Sequence, residues 1–215
     1  MKQNMGFIKE EVDQYITELL PLDDSFLEEL QQQGIKEEIP IIQVPSMKLI
    51  QVLLNMIRPS NIIEVGTAIG FSTIFLAKSA PYATIHTIER NETMIARAKE
   101  NFRIAGLDKQ IILYEGDAIE ILPHLPQSEF IFIDAAKGKY KQFLQLAFPL
   151  LPVGGIFVFD NILFRGYIAE EEIVQTKPML KKLHRFNQEL ADEKKLLTSF
   201  VPIGDGLAIS YKLEE

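Results

Sequence analysis

The chain has 215 residues, 47% of them hydrophobic, with no cysteine and a formal net charge of −8. That length can bury one substantial core, and the missing cysteines exclude disulfides, thiolate metal sites and cysteine nucleophiles. The acidic balance argues against a general nucleic-acid coat, though it leaves room for a local basic patch.

The opening residues Met1–Glu10 become charged too soon for a signal peptide, and no run of 18 apolar residues would span a membrane, so a cytoplasmic protein is expected. Ile8 to Leu20 and Ser25 to Gln33 read as helices. Asp23 or Asp24 offers a cap for the second, and Gly34 offers its stop. Pro40 marks an extended connection. Pro45 suits the first turn of a helix to about Ile57, with Met47, Ile50, Leu53, Leu54 and Ile57 on one face. Residues 1–58 read as a helical lid or oligomer segment on a core of 59–215, within one domain.

From there strands near 61–65, 84–88, 110–114, 129–133 and 154–159 alternate with helices at 71–79, 92–105, about 117–122 and 139–150. This period predicts right-handed βαβ units and a mostly parallel sheet with helices on both faces. A helix around Pro178 to Ala191 and two apolar runs, Lys195–Pro202 and Leu207–Lys212, then predict a closing antiparallel hairpin.

The first βα unit carries the most chemistry. Ile62 to Val65 reads as a buried strand, Gly66 and Gly70 bracket a turn, and helical spacing starts at Phe71. A strand, a glycine turn and a helix N-terminus form a cradle for an adenosine-containing cofactor. The third glycine of a dinucleotide fingerprint is replaced by Thr73, which argues against a pyrophosphate on the helix; Glu64 at the strand end fits S-adenosylmethionine better than NAD. Glu89 lies 19 residues beyond Gly70, where a carboxylate can hold ribose hydroxyls. An ordinary strand–loop–helix connection would share part of this pattern.

In an open α/β sheet, ligands collect at the carboxyl ends of the strands. Those ends hold Glu64, Glu89, Asp117, Asp134, Asp160 and Asn161. Asp134 and Asp160 terminate the apolar runs Phe130–Ile133 and Ile156–Phe159. Two carboxylates and an amide oxygen at one edge suit Mg²⁺; the bland alternative is a helix cap at Asp134 and a turn at Asp160–Asn161. Lys137 follows Asp134 by three residues. A lysine beside a divalent cation is pushed towards its neutral amine and can act as a base, although Lys139 and Lys141 nearby are equally compatible with a solvated loop.

As a set, the motifs Ile63–Ser72, Ile88–Glu89, Gly116–Ala118, Phe132–Lys137 and Phe159–Asn161 resemble the metal-dependent, catechol-type O-methyltransferases that use S-adenosylmethionine. The segment Ile39–Met47 leading into Asn61 is similar, more narrowly, to bacterial tRNA 5-hydroxyuridine methyltransferases. This resemblance implies a Rossmann-like methyltransferase fold with a seven-stranded sheet. It puts the cofactor against Met47, Glu64, Gly66, Ser72, Glu89, Asp117, Ala118 and Asp134, and Mg²⁺ on Asp134, Asp160 and Asn161. It makes Lys137 the catalytic base and a homodimer the expected assembly. The implied substrate is 5-hydroxyuridine at the tRNA anticodon wobble position, with a small catechol-like phenol as the alternative. Arg58, Lys137, Lys139, Lys141, Arg165, Lys181, Lys182 and Arg185 would supply the cations for tRNA. The chain departs from animal catechol enzymes in lacking an acid around Thr198–Phe200 and in lacking any tryptophan.

Overall fold

The computed structural model describes residues 9–215. The expected start of the first helix at Ile8, and most of the segment weighed as a signal peptide, lie outside the described residues. Among the described residues three helices come first, α1 (Glu10–Leu19), α2 (Ser25–Lys36) and α3 (Val44–Ile57). They are followed by β1 (Asn61–Val65), α4 (Phe71–Ser79), β2 (Thr84–Glu89), α5 (Glu92–Ile104), β3 (Ile111–Glu115), α6 (Ala118–Ile121), β4 (Phe130–Ile133), α7 (Tyr140–Ala147) and β5 (Ile156–Phe159). The chain closes with α8 (Glu171–Thr176), α9 (Pro178–Asp192), β6 (Leu196–Val201) and β7 (Leu207–Lys212).

The seven strands form one sheet in the order β3-β2-β1-β4-β5-β7-β6. Pairings among β1–β5 are parallel, while β7 runs antiparallel to both β5 and β6. Strand order reverses between β1 and β4. Connections leave those two strands in opposite directions, so their carboxyl ends open a crevice.

Alternation along each strand feeds two cores. Ile62, Phe130, Phe132, Ile156 and Val158 pack with Leu27 and Leu30 of α2, Met47, Ile50 and Leu54 of α3, and the apolar face of α4. Ile63, Ile131, Ile133, Phe157 and Phe159 pack on the other side with Tyr140 and Phe143 of α7 and Leu183, Phe186 and Leu190 of α9.

Several boundaries differ from expectation for identifiable reasons. Asp24 does cap α2, accepting from Leu27 N at 3.0 Å. That helix runs past Gly34 to Lys36, because Gly34 serves close packing: a Cβ there would meet Ile41 at 3.1 Å. The helices expected at 117–122 and 139–150 are shorter, with 3₁₀ turns at Leu122–His124, Lys137–Lys139 and Phe148–Leu150. Pro123 and Pro149 fall in two of those turns and cannot donate to an α-helical ladder. The 3₁₀ turn Phe164–Ala169 and α8 were not anticipated; both lie in a stretch without sustained apolar periodicity.

One polar cluster is sealed inside this frame. Glu64 is 0% exposed, and its Oε2 accepts from Thr73 Oγ at 2.5 Å and Thr87 Oγ at 2.6 Å. Thr67 Oγ lies 2.6 Å from Thr87 Oγ. The Thr73 hydroxyl thus ties α4 to β1 at the position where a dinucleotide fold would place glycine. Burial pushes the Glu64 carboxyl up to about 7, against the pull of the Ser72, Thr73 and Thr87 hydroxyls.

The folded chain therefore keeps this proton up to about pH 7, whereas the unfolded chain releases it near 4.5. Glu64 favours folding fully below that window and loses the contribution as pH rises through it. Urea unfolding at pH 5 and pH 8 should show wild type losing about 2.5 kcal/mol relative to Glu64→Gln between the two. Equal pH slopes in the two proteins would place an ordinary carboxylate at Glu64.

Candidate functional site

A cavity of about 300 Å³ opens at the carboxyl ends of β1, β2 and β4. Its wall includes Gly66, Ala68, Ser72, Glu89, Asp117, Ala118, Asp134 and Lys137. The glycine turn makes the wall possible. Gly66 has φ 107°, and a Cβ there would collide with the backbone carbonyl of Asp134 at the end of the neighbouring strand. Gly70, φ 87°, starts α4 where a Cβ would meet the Phe102 ring at 2.6 Å. Only glycine fits both positions without strain.

The acids of the wall are held in place by backbone amides. Glu89 accepts from Ala68 N at 3.0 Å through Oε2, and from Arg90 N at 2.8 Å and Asn91 N at 2.9 Å through Oε1. Its carboxylate thereby joins the glycine loop to the end of β2. Asp117 caps α6 through Ile119 N at 2.9 Å and pairs with Lys139 at 3.2 Å; that amide bond, then Lys139, holds its carboxyl below the usual range.

A second group lies beside the cavity at the ends of β4 and β5. Asp134 pairs with Lys137 Nζ at 3.0 Å and lines the cavity as well. It caps no helix, since the following 3₁₀ turn has Ala136 at its start and no side-chain cap. Asp160 is 2% exposed and accepts from Asn161 N at 2.7 Å. Burial, then the neighbouring Asp134, pushes the Asp160 carboxyl well above its ordinary range. Tyr140 pins this strand end, its hydroxyl donating to Asp160 O at 2.8 Å. Asn161 follows with a left-handed backbone, φ 56°. A third acid, Asp205 in the β6–β7 turn, faces the same group; burial raises its carboxyl, and Lys137 pulls the other way.

Of the cofactor residues expected from the sequence, Gly66, Ser72, Glu89, Asp117, Ala118 and Asp134 line the cavity. Met47 and Glu64 do not. Met47 is 1% exposed within the core beneath α3, and Glu64 lies under the loop. Asp160 and Asn161 stand next to the cavity, outside its wall. Among the described residues no three Asp, Glu, His or Cys side chains converge as a metal set, so the expected Mg²⁺ ligands amount to two carboxylates and an amide. Pro40, Ile41, Ile42, Ile88 and Phe143 form apolar wall that no motif announced; they come from a loop and from elements whose pattern reads simply as core. The expected basic set is divided. Arg58 caps α3 over the Tyr82 ring, before the amino end of β1, away from the cavity. Lys137, Lys141, Lys182 and Arg185 do share one groove.

Comparison with known proteins matches residues 17–213 to the O-methyltransferase family model. A catechol O-methyltransferase of Niastella koreensis is 35% identical over 191 residues, covering 85% of this chain and 86% of that protein. A putative caffeoyl-CoA O-methyltransferase structure from Staphylococcus aureus superposes with TM-score 0.89 at 35% identity, over 94% of this chain and all of that one. A Bacillus cereus O-methyltransferase solved with S-adenosylhomocysteine gives TM-score 0.82 at 26% identity, over 94% and 97% of the two chains. With its cavity at the reversal of strand order and a carboxylate–lysine group beside it, the chain belongs to the O-methyltransferase family.

Proposed function

We propose that this protein transfers a methyl group from S-adenosylmethionine to one oxygen of a small catechol-like phenol, with Mg²⁺ bound at Asp134, Asp160 and Asn161. The observation that carries the reading is the placement of Asp134, which lines the cavity and also faces Asp160 and Lys137. The named relatives supply the substrate class, catechol and caffeoyl-CoA, and the Bacillus cereus structure supplies the cofactor's product.

The residues fit both groups. The loop from Gly66 to Ser72 and the carboxylate of Glu89 offer amide, hydroxyl and carboxylate contacts to an adenosyl ligand. Asp160, buried beside a second acid, is a carboxylate in need of a cation, and two carboxylates with an amide oxygen are a hard-oxygen set. Bound there, Mg²⁺ would supply Lewis acidity towards a phenolic hydroxyl. Asp134 and Asp160 neutralise and orient, Lys137 Nζ takes the hydroxyl proton, and the Ile41, Ile42 and Phe143 side chains exclude water from the cavity. A homodimer fits the exposed apolar side chains Val12, Tyr15 and Leu19 of α1 and Val52 and Met56 of α3.

A second reading, conversion of tRNA 5-hydroxyuridine to 5-methoxyuridine, draws on the groove lined by Lys137, Lys141, Lys182 and Arg185. Its cations are partly spent. Glu189 takes Lys141 at 2.8 Å and Arg185 at 2.8 Å, and Asp117 takes Lys139. The small phenol therefore comes first. Incubation with S-adenosylmethionine and Mg²⁺ should methylate a catechol, stop with EDTA and resume with added Mg²⁺. Conversion of 5-hydroxyuridine in tRNA, with the catechol untouched, would replace the first reading by the second.

Two substitutions test the roles. Asp160→Ala should reduce turnover far more than S-adenosylmethionine affinity measured by calorimetry, since the cavity wall stays whole; equal losses would make Asp160 structural. Lys137→Met should slow transfer by about 10²-fold or more with cofactor binding retained. Part of the rate should return at higher pH, where the substrate hydroxyl ionises unaided. A near-normal rate at neutral pH would remove Lys137 from the chemistry.

A further inference from the structure

The loop after Asp160 follows a course that side chains resist. Asn161, Phe164 and Arg165 have φ of 56°, 43° and 57°, and Gly166 follows at 83°. Asparagine and glycine tolerate this region, but phenylalanine and arginine do not adopt it without support. Such a backbone persists only where its surroundings determine it.

The surroundings here are the tip of the β6–β7 hairpin. Ile162 N donates to Gly206 O at 3.1 Å, and Leu163 N donates to Asp205 O at 3.1 Å. Arg165 N donates to the Asp205 carboxylate, which makes Asp205 the side chain that takes hold of the most strained stretch. Two other side chains bond to this loop among the described residues: the Asp160 carboxylate, which accepts from Asn161 N at 2.7 Å, and Asn187, whose amide donates to Ile162 O at 2.8 Å. The tip itself is wedged. A Cβ on Gly204 would meet Ser46 Oγ of α3 at 2.5 Å, and one on Gly206 would overlap Leu163. It cannot follow the loop if the loop moves.

We propose that Asp205 is a positioning residue of the oxygen site: its carboxylate holds the Asn161–Gly166 loop in its left-handed course and so keeps Asn161 beside Asp160 and Asp134 for a divalent cation. This rests on the cation site of the proposed function. Asp205 need not touch the cation. An acceptor for Arg165 N is what the loop requires, and that requirement separates positioning from a general contribution of negative charge.

The test titrates the full-length protein with Mn²⁺, following free Mn²⁺ by electron paramagnetic resonance, with circular dichroism to check folding. Asp205→Ala should weaken Mn²⁺ binding by about 10-fold or more, as loss of a partner behind a ligand commonly does, and leave S-adenosylmethionine affinity unchanged. Asp205→Asn keeps an acceptor oxygen and should bind Mn²⁺ nearly as wild type does. Glycine accepts positive φ without cost to a side chain, so adding Arg165→Gly to Asp205→Ala should ease the loop and recover most of the lost affinity. The double variant also serves if Asp205→Ala alone fails to fold. Asp205→Asn binding as poorly as Asp205→Ala, or no recovery in the double variant, would overturn positioning. If Asp160→Ala loses Mn²⁺ while Asp205→Ala keeps it, the cation site stands and this inference falls. If wild type binds no Mn²⁺, the cation site falls and the inference with it.

Discussion

Negative charge concentrated at one edge of the sheet is the constraint on which the site depends. Asp134, Asp160 and Asp205 lie near enough to feel one another's charge, Asp160 almost wholly out of water, and Lys137 pairs with Asp134 at 3.0 Å. Like charges with so little solvent around them repel one another, at a cost to the fold. A chain that only had to fold would do better with apolar residues there. The Asp160 carboxyl is nonetheless held firmly, by the Asn161 amide on its oxygen and by Tyr140 on its backbone carbonyl. Tyr140 in turn packs edge-on against Phe186, with ring centroids 5.6 Å apart. Rigid support for an unfavourable charge is what preorganised binding of a cation requires.

The cofactor side works by the opposite means. Glu64 carries its charge cost beneath the loop, where three threonine hydroxyls form a chain under Gly66 and the start of α4. Thr73 occupies the place of a third glycine and joins helix to strand by a hydrogen bond where a dinucleotide fold relies on close packing. Glu89 works from above, its oxygens saturated by loop and strand-end amides. The loop is thus fixed from below by a buried carboxyl and from above by a half-exposed one.

Most of this architecture was legible because it depends on local pattern. The strand–glycine–helix unit, the alternation of strands and helices and the antiparallel closing hairpin follow from apolar period and turn residues, and the seven-stranded sheet has that form. Gly66, Ser72, Glu89, Asp117, Ala118 and Asp134 could be placed because the ends of parallel strands gather on one edge. Met47 and Glu64 stand away from the cavity wall, a placement the motifs do not give. A motif says which residues are near a cofactor loop in sequence, while the direction of a side chain depends on strand parity and on what lies behind it. Glu64 shares the parity of Ile62, so it points into the core under α4. Asp205 was missed for a different reason. It sits in a Gly-Asp-Gly turn that reads fully as a hairpin, and only the return of that hairpin beside β5 carries it to the acids of β4 and β5. The loop at 161–170 left no periodic trace at all, since its shape is imposed by that same hairpin.

The same long-range geometry bears on the substrate. A catechol and 5-hydroxyuridine both offer two adjacent oxygens, so the oxygen cluster cannot choose between them, and selection falls to the surroundings. Residues 40–42 and Phe143 line the same cavity as Gly66, Glu89 and Asp117, the cofactor's proposed place, so the rim is what bears on the choice. The cations at the rim are arranged differently from a phosphate-binding surface. Asp117 and Glu189 each engage two of them, Lys139 with Arg90 and Lys141 with Arg185. A phosphate approaching that rim must first displace a carboxylate, which removes much of the counterion-release advantage that drives nucleic-acid binding. Lys181 and Lys182 on α9 make no ion pair among the described residues, but two lysines are a small footing for a polyanion on a chain of net charge −8. The rim therefore counts against a polyanion and is consistent with the small phenol proposed above.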